Sequence, residues 1–436
     1  MSAYLAEYLS GEMAGMKFRT MGPLSILKHR PWPPSPAVAP RLDVNQCFEE
    51  ENTPYYHSAH FYPTRIGEIL NNRYQVVTKI GYGTSSTIWL ARDLNQWRCF
   101  HDKYVAVKIS TTEHHSRQNA AQNELDILRH IARANPHHKG WHFNRHLLDT
   151  FTLNHDSRIH LALVSEPLRE PLWMYQRRFV GDVIPSGILK VTVQMILEAL
   201  DYLHSECHII HTDLKPDNVM VKVEDPSILD ESAKDEYQHP LPQKLCPDGH
   251  ITYLSRNNYG PPQKTAGIIT ITDFDLAVYG DKPNNGCIQA EIYRAPEVIL
   301  DAGFSYSADI WSLGVMLWDL LEGRKLFKDV DPVQVQEYSE SGHLSHITAL
   351  LGPAPDALLS NGRRTGRFYT TDGHLKYPTA PPTSFNFEGL LNNIRSEDKT
   401  LFIQFIRRML KWHPEDRSTA KELLQDPWLS ADFDDF

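Results

Sequence analysis

Ile209-Ile210-His211-Thr212-Asp213-Leu214-Lys215-Pro216-Asp217-Asn218 is the stretch on which the reading of this 436-residue chain turns. Asp213 can accept a proton from an attacking hydroxyl. Lys215 can neutralise a phosphate oxygen, and Asn218 can hold a metal ion through its amide oxygen. The apolar pair in front and Val219-Met220-Val221 behind read as short strands, which places the polar residues on a loop between them. Such a set suits phosphoryl transfer, where catalysis is mostly positioning and charge neutralisation. Taken alone, the stretch also reads as a charged surface turn. The choice rests on partners elsewhere in the chain.

Tyr74 to Ile80 is the first clear strand, followed by Gly81-Tyr82-Gly83-Thr84-Ser85-Ser86-Thr87 and a second run, Ile88-Trp89-Leu90. Two glycines between strands let the backbone bend over a nucleotide and offer N–H groups to its phosphates. An ordinary hairpin has the same signature. Val105-Ala106-Val107-Lys108 supplies context, because a lysine ending an apolar strand is costly to bury unless paired. Residues Gln118 to Ala134 have helical periodicity, and Glu124 shares the stripe of Ile127, Leu128 and Ile131. A Lys108–Glu124 pair would hold the lysine on the α- and β-phosphates; the alternative is a partly buried salt bridge without chemistry.

Composition bounds the rest. Charged residues are 22% and hydrophobic residues 41%, as in a largely globular protein. The net charge of −10 disfavours direct nucleic-acid binding and suits a basic partner. No apolar run reaches the roughly 20 residues of a membrane helix. Five scattered cysteines (47, 99, 207, 246, 287), none in a CxxC, suggest reduced thiols and a cytoplasmic or nuclear location. Met1 to Gly15 carries Glu7 and Glu12 and lacks a secretory start; Lys17, Arg19, Lys28 and Arg30 leave only a weak mitochondrial signal. Pro31 to Pro40 holds five prolines and reads as an extended linker. Ser186 to His204 reads as a long amphipathic helix, and Glu224 to Lys264 as a polar, partly mobile surface insert. His137, His138, His142 and His146 invite a zinc reading, but no Cys or carboxylate cluster completes a site nearby.

In order, these motifs run from about Tyr74 to Leu429 as they do in protein kinases, and the chain resembles that family. More narrowly it resembles the SR-protein kinases, which act on arginine–serine-rich splicing factors. Gly81 to Leu90, Ile210 to Asn218, the insert behind Asn218, Ile288-Gln289 with Tyr293-Arg294, and His343 to Ile347 with Leu350-Leu351-Gly352 carry that likeness, closest to short fungal-type members. The resemblance implies an α+β, two-lobed protein-kinase fold: a small β-rich lobe (74–166) with one key helix and a larger, mainly helical lobe (167–429). Around them stand an extension and linker (1–48), a flank (49–73), an insert (about 222–267) and an acidic tail (430–436).

It implies an ATP pocket formed by Ile80, Gly81, Gly83, Thr84, Ser85, Ser86, Ile88, Ala106, Lys108, Ser165, Glu166, Leu168 and Met220. Asn218 and Asp273 would hold magnesium, with Asp213, Lys215, Lys108 and Glu124 as the catalytic set. Ser165, small for the back of the pocket, is expected to admit bulky purine analogues. Ala295-Pro296-Glu297 implies a buried Glu297–Arg417 pair, and Asp309 is expected to bind the backbone of the 209–218 loop.

Tyr279 to Glu297 contains no serine or threonine, and Thr212 stands where many kinases carry an arginine that grips a phosphate there. Both imply activity without activation-loop phosphorylation, with a phosphotyrosine at Tyr279 as the alternative. The implied substrates are arginine-flanked serines, with the protein a monomer. Asp329, Asp331, Glu337 and Glu340 are either an acidic docking groove or an ordinary solvated face. Departures from the family are Ser86 for the third loop glycine, Asp275 for the glycine after Asp273-Phe274, and Ala290 and Glu291 before Tyr293. At 275 an aspartate is expected either to take the positive φ of the replaced glycine, which it tolerates better than most residues, or to hydrogen-bond locally through its carboxylate. These departures keep a pseudokinase scaffold in view. A small-molecule phosphotransferase is the third reading, opposed by Ala295-Pro296-Glu297 and Arg417.

Overall fold

The computed structural model describes residues 27–54, 56–112, 115–260, 267–327, 338–378, 385–394 and 396–430. Six strands make one antiparallel sheet: β1 (Ile69–Leu70), β2 (Tyr74–Gly83), β3 (Ser86–Asp93), β4 (Tyr104–Ser110), β5 (Leu147–His155) and β6 (Arg158–Ser165), in the order β1-β2-β3-β4-β6-β5. Side chains alternate across a strand, and here both faces are covered. Val76, Trp89, Val105 and Val107 join a cluster with Tyr253, while their neighbours Val77, Leu90 and Tyr104 join another with Leu229 and Ala233. Helix α1 (His115–Arg133) crosses the cleft side, its Leu125, Ile127, Leu128 and Ile131 all buried.

The larger lobe is built around helices. After a short α2 (Leu172–Gln176), α3 (Ser186–Asp201) runs into one π-helical turn at Tyr202–Glu206, so the expected helix ends in a widened turn. Two small ladders set the floor of the cleft: β7 (Leu168–Pro171) with β9 (Val219–Lys222) and β12 (Ile269–Ile271), and β8 (Ile209–Ile210) with β13 (Val278–Tyr279). They bracket the polar loop as its composition implied. Of the later helices, α5 (Pro296–Leu300) and α6 (Ser307–Glu322) lie nearest the cleft, and α6 is buried on all sides from Ala308 onward, as an all-round apolar helix must be.

The insert differs from the expectation of a mobile surface loop. It forms α4 (Ser227–Gln238) and the hairpin β10 (Gln243–Leu245) with β11 (Ile251–Tyr253). Although it leaves from the large lobe, it grips the small one. Leu229 and Ala233 of α4 fill one face of the sheet and Tyr253 the other. The N-terminal extension takes part: Pro40 and Leu42 exchange backbone hydrogen bonds with Gln243, and the Trp32 ring meets Tyr237 edge-on at 5.5 Å. The polar composition of 224–264 hid this because only a few apolar side chains make the contact.

At the centre of the clamp lies Lys79 on β2, 0% exposed. Its ammonium donates to the Glu50 carboxylate and, at 3.1 Å, to the Tyr253 carbonyl, with Glu49 at 3.6 Å. Lys244 of the hairpin pairs with Glu51 at 2.9 Å. Arg256 binds back through its N–H to the Lys79 carbonyl at 2.8 Å. Burial pushes the Glu50 carboxyl above its ordinary pKa, and Lys79 opposes the shift. Removing one member of a buried pair strands the other. Glu50→Ala is therefore expected to cost about 3 kcal/mol in chemical denaturation, clearly more than Glu49→Ala.

Candidate active site

Lys108 sits near the end of β4, where the pairing register sets it opposite Ile88 on β3 and Leu163 on β6. Its ammonium donates to both oxygens of Glu124, at 2.9 and 2.8 Å, and to Asp273 Oδ1 at 2.7 Å. Burial alone would lower its pKa; the Asp273 and Glu124 carboxylates more than reverse this, so the lysine is held charged. Burial raises the Glu124 carboxyl against the pull of Lys108, while Lys108 is the main cause that lowers Asp273. Glu124 is 5% exposed, so the apolar stripe that suggested its role does bury it.

Across the cleft, Asp213 accepts from Lys215 Nζ at 2.6 Å and from Asn218 Nδ2 at 3.0 Å, both on Oδ2. Asn218 Nδ2 also donates to the Asp213 carbonyl at 2.8 Å. Spending the amide nitrogen on Asp213 turns the Asn218 amide oxygen away from it. That oxygen and the Asp273 carboxylate, whose side chain is 40% exposed, are hard donors of the kind magnesium takes. The residues present thus fit the ion that the sequence implied.

The loop itself is held from beneath. Asp309 at the start of α6 accepts from the His211 and Thr212 N–H groups at 2.8 and 2.9 Å. His211, fully buried, donates from Nε2 to the Thr272 carbonyl at 3.0 Å and accepts at Nδ1 from the Asp213 N–H at 3.2 Å, which is the neutral tautomer. Its ring lies 5.1 Å from that of buried Phe274. Glu297 and Arg417 form a two-bonded pair at 2.7 and 2.6 Å with neither side chain exposed.

The glycine loop is the β2–β3 hairpin: Gly81 pairs with Ile88 and Gly83 with Ser86, and the chain turns at Thr84-Ser85. Ser86 is 5% exposed and faces Ser110 on β4, so no glycine is needed there. Ala106 and Ser165 face each other across β4 and β6; Glu166 then leads to Leu168, and Met220 pairs with Thr270 on the floor. The sequence-derived pocket residues thus sit on the β2–β3 hairpin, at the facing positions of β4 and β6, on the segment that follows β6, and on β9.

Two expectations change. The positive φ of the 273–275 turn falls on Asp273 (66°), not on Asp275, so a side chain at 275 meets no left-handed backbone. The Glu340 carboxylate is bound by Arg364 at 2.9 and 2.6 Å and by Arg294 at 3.4 Å, so it is no free acid for docking. Asp329, Asp331 and Glu337 lie outside the described residues. His138 accepts from the Gly140 N–H, and His146 stacks on Trp141 and bonds its carbonyl. Sequence reasoning also missed Arg145, whose guanidinium donates to the Ser165 hydroxyl at the back of the cleft. Nothing in Asn144-Arg145-His146 marks it.

Asp275 faces the space beside Lys108, Glu124 and Ser85. Burial pushes its carboxyl above the ordinary range, and the charge of Asp273 adds to this. A folded pKa above the unfolded one means that ionising Asp275 costs stability as pH rises through the ordinary carboxylate range, with the full penalty at neutral pH. Without nucleotide or magnesium, Asp275→Asn is expected to raise the thermal midpoint by about 2–4 °C near neutral pH. The gain should vanish toward about pH 4, as a pair of melting curves can show.

Residues 74–429 match the model described as protein kinase domain. A serine/threonine protein kinase of Aspergillus fumigatus is 35% identical over 410 residues, covering 93% of this chain and 98% of its own. The serine/threonine-protein kinase SRPK of Physarum polycephalum is 29% identical, covering 88% and 92%. A kinase-domain crystal structure superposes with a TM-score of 0.64 at 24% identity, covering 86% of this chain and all of that one, a likeness of fold. With the ion pair closed across the cleft and the family matched over both lobes, this chain belongs to the protein kinase family and is a serine/threonine protein kinase, with SR-protein kinases among its relatives.

Proposed function

We propose that the enzyme transfers the γ-phosphoryl group of magnesium-bound ATP to serines in basic, arginine/serine-rich proteins, and does so without a phosphate on its activation segment. The observation that carries the catalytic part is Lys108 bonded to Glu124 and Asp273 at once, which sets a cation beside a metal-binding carboxylate. Lys108, fixed by Glu124, would neutralise the α- and β-phosphates. Lys215 would meet the γ-phosphate. Asp213 takes both its donors on Oδ2, and among the described residues its Oδ1 has no partner, so it can orient the attacking hydroxyl and take its proton. Asn218 and Asp273 would hold magnesium, which supplies charge neutralisation at the phosphates. The closed Lys108–Glu124 pair and buried Phe274 favour this reading over a scaffold without catalysis.

Independence from phosphorylation finds support at both ends of the segment 275–297. Asn123 Nδ2 donates to the Asp275 and Ala277 carbonyls at 3.2 and 3.0 Å, and Thr212 Oγ1 to the Leu276 carbonyl at 2.8 Å. Strand β13 pairs with β8. Further on, Gln289 Nε2 donates to Ala308 O and Ser312 Oγ at 2.8 and 2.9 Å, while its Oε1 accepts from the Ala295 N–H at 2.9 Å. These are neutral bonds, and the stretch 279–297 offers no serine or threonine to modify. The preference for basic substrates is supported by the −10 charge and by the Physarum relative's name. A monomer working in cytoplasm and nucleus, binding neither nucleic acid nor membrane directly, fits the same reading; among the described residues no helix is long and apolar enough to cross a membrane.

Phosphate transfer to an arginine–serine peptide should exceed transfer to a neutral serine peptide, and prior phosphatase treatment should leave the rate unchanged. Asp213→Ala should cut turnover by about 100-fold or more while magnesium–ATP still binds. Undiminished turnover in that variant refutes the assignment of Asp213. Equal rates on the two peptides refute the substrate class.

A further inference from the structure

Ser165 ends β6 opposite Ala106 and Leu147, immediately before Glu166 to Leu168. A side chain at that place borders the cleft at its inner end. Serine contributes only a hydroxymethyl group, so by its size alone the space behind should be open. The Arg145 guanidinium, however, reaches this hydroxymethyl group and donates through Nη2 to Ser165 Oγ.

The backbone that delivers Arg145 has little freedom. Its N–H donates to the Ile271 carbonyl at 3.0 Å, and Asn144 bridges to the same residue, two before Asp273. Asn144 Nδ2 donates to the Gly140 and Ala199 carbonyls at 2.8 and 3.3 Å, which ties the turn to α3. Among the described residues Arg145 makes no ion pair. Its charge is balanced at longer range by Glu124, Asp273 and Glu166, and burial pushes the guanidinium's pKa down. A long side chain fixed at its root and bonded at its tip cannot swing aside without breaking the Ser165 bond and stranding a charge.

Resting on the nucleotide site proposed above, we infer that Arg145, not residue 165, sets the depth of the purine pocket: it closes the space that Ser165 leaves and excludes adenine analogues carrying a bulky group on the edge that faces Ser165. The side chain makes a small-residue pocket behave as a large-residue one.

The test compares an adenine analogue bearing a naphthylmethyl group with its unsubstituted parent, as competitors of magnesium–ATP on the full-length enzyme. Wild type should bind the parent at least about tenfold more tightly than the bulky form. Arg145→Val should gain about tenfold or more for the bulky form and change less than about threefold for the parent, a factor of ten being about 1.4 kcal/mol. Ser165→Ala should gain little. If the valine variant fails to fold, Arg145→Met keeps the length, loses the hydrogen bond to Ser165 and should still gain about fivefold, roughly 1 kcal/mol on the same scale. Two results overturn the inference: wild type that binds both compounds equally, or variants whose ratio of affinities matches wild type. Calorimetry with magnesium–ATP on the wild-type enzyme separates the levels. Uptake with unchanged ratios removes only the role of Arg145, whereas absence of uptake removes the nucleotide site with it.

Discussion

An ammonium group taken out of water must find compensating charge, and the architecture of the cleft follows from how Lys108 meets that demand. Its partners come from two separate parts of the chain, Glu124 from α1 and Asp273 from the turn after β12. Glu124, 5% exposed, is itself costly to bury unpaired. The lysine and Glu124 are tolerable only together, so their pairing fixes α1 against the sheet, and the bond to Asp273 ties the 273–275 turn to the same point. Asn123, one residue before Glu124, adds the backbone of the next segment to the same assembly.

A second buried pair serves the small lobe. Lys79 stands just before the glycine hairpin and is matched by Glu50 from the N-terminal flank and by a carbonyl of the insert. Two segments far apart in sequence thereby brace the strand that leads into the glycine hairpin. Below the cleft, Asp309 and the Glu297–Arg417 pair do the same for the catalytic loop and the segment after it. Each lobe thus uses buried, fully bonded charges as fixed points, with apolar packing between them.

Much of this was legible in the sequence, for a physical reason. A charged residue on an otherwise apolar strand or stripe is rare unless paired, so Lys108 and Glu124 announced themselves, whereas Glu297 and its cationic partner came from the resemblance of Ala295-Pro296-Glu297 to the kinase motif. The polar loop at 211–218 was legible because apolar runs flank it on both sides. What stayed hidden depended on contacts that local pattern does not encode. The insert looks solvated because Leu229, Ala233 and Tyr253 are a thin apolar minority within it. Arg145 sits in no periodic stretch, and only the fold brings it to Ser165. The left-handed residue of the 273–275 turn is its first aspartate, and sequence alone offered no way to tell it from the third. Glu340 looked like a free acid because its partners lie elsewhere in the chain, at 294 and 364.

The central claim is that Glu124 acts by holding Lys108 in place for the phosphates. The most direct measurement is the turnover number of Glu124→Gln at saturating magnesium–ATP, with a melting curve to show that the variant is folded. The account predicts a loss of about 100-fold or more, the usual consequence of misplacing a catalytic group by about 1 Å. Turnover close to that of the unaltered enzyme would contradict it.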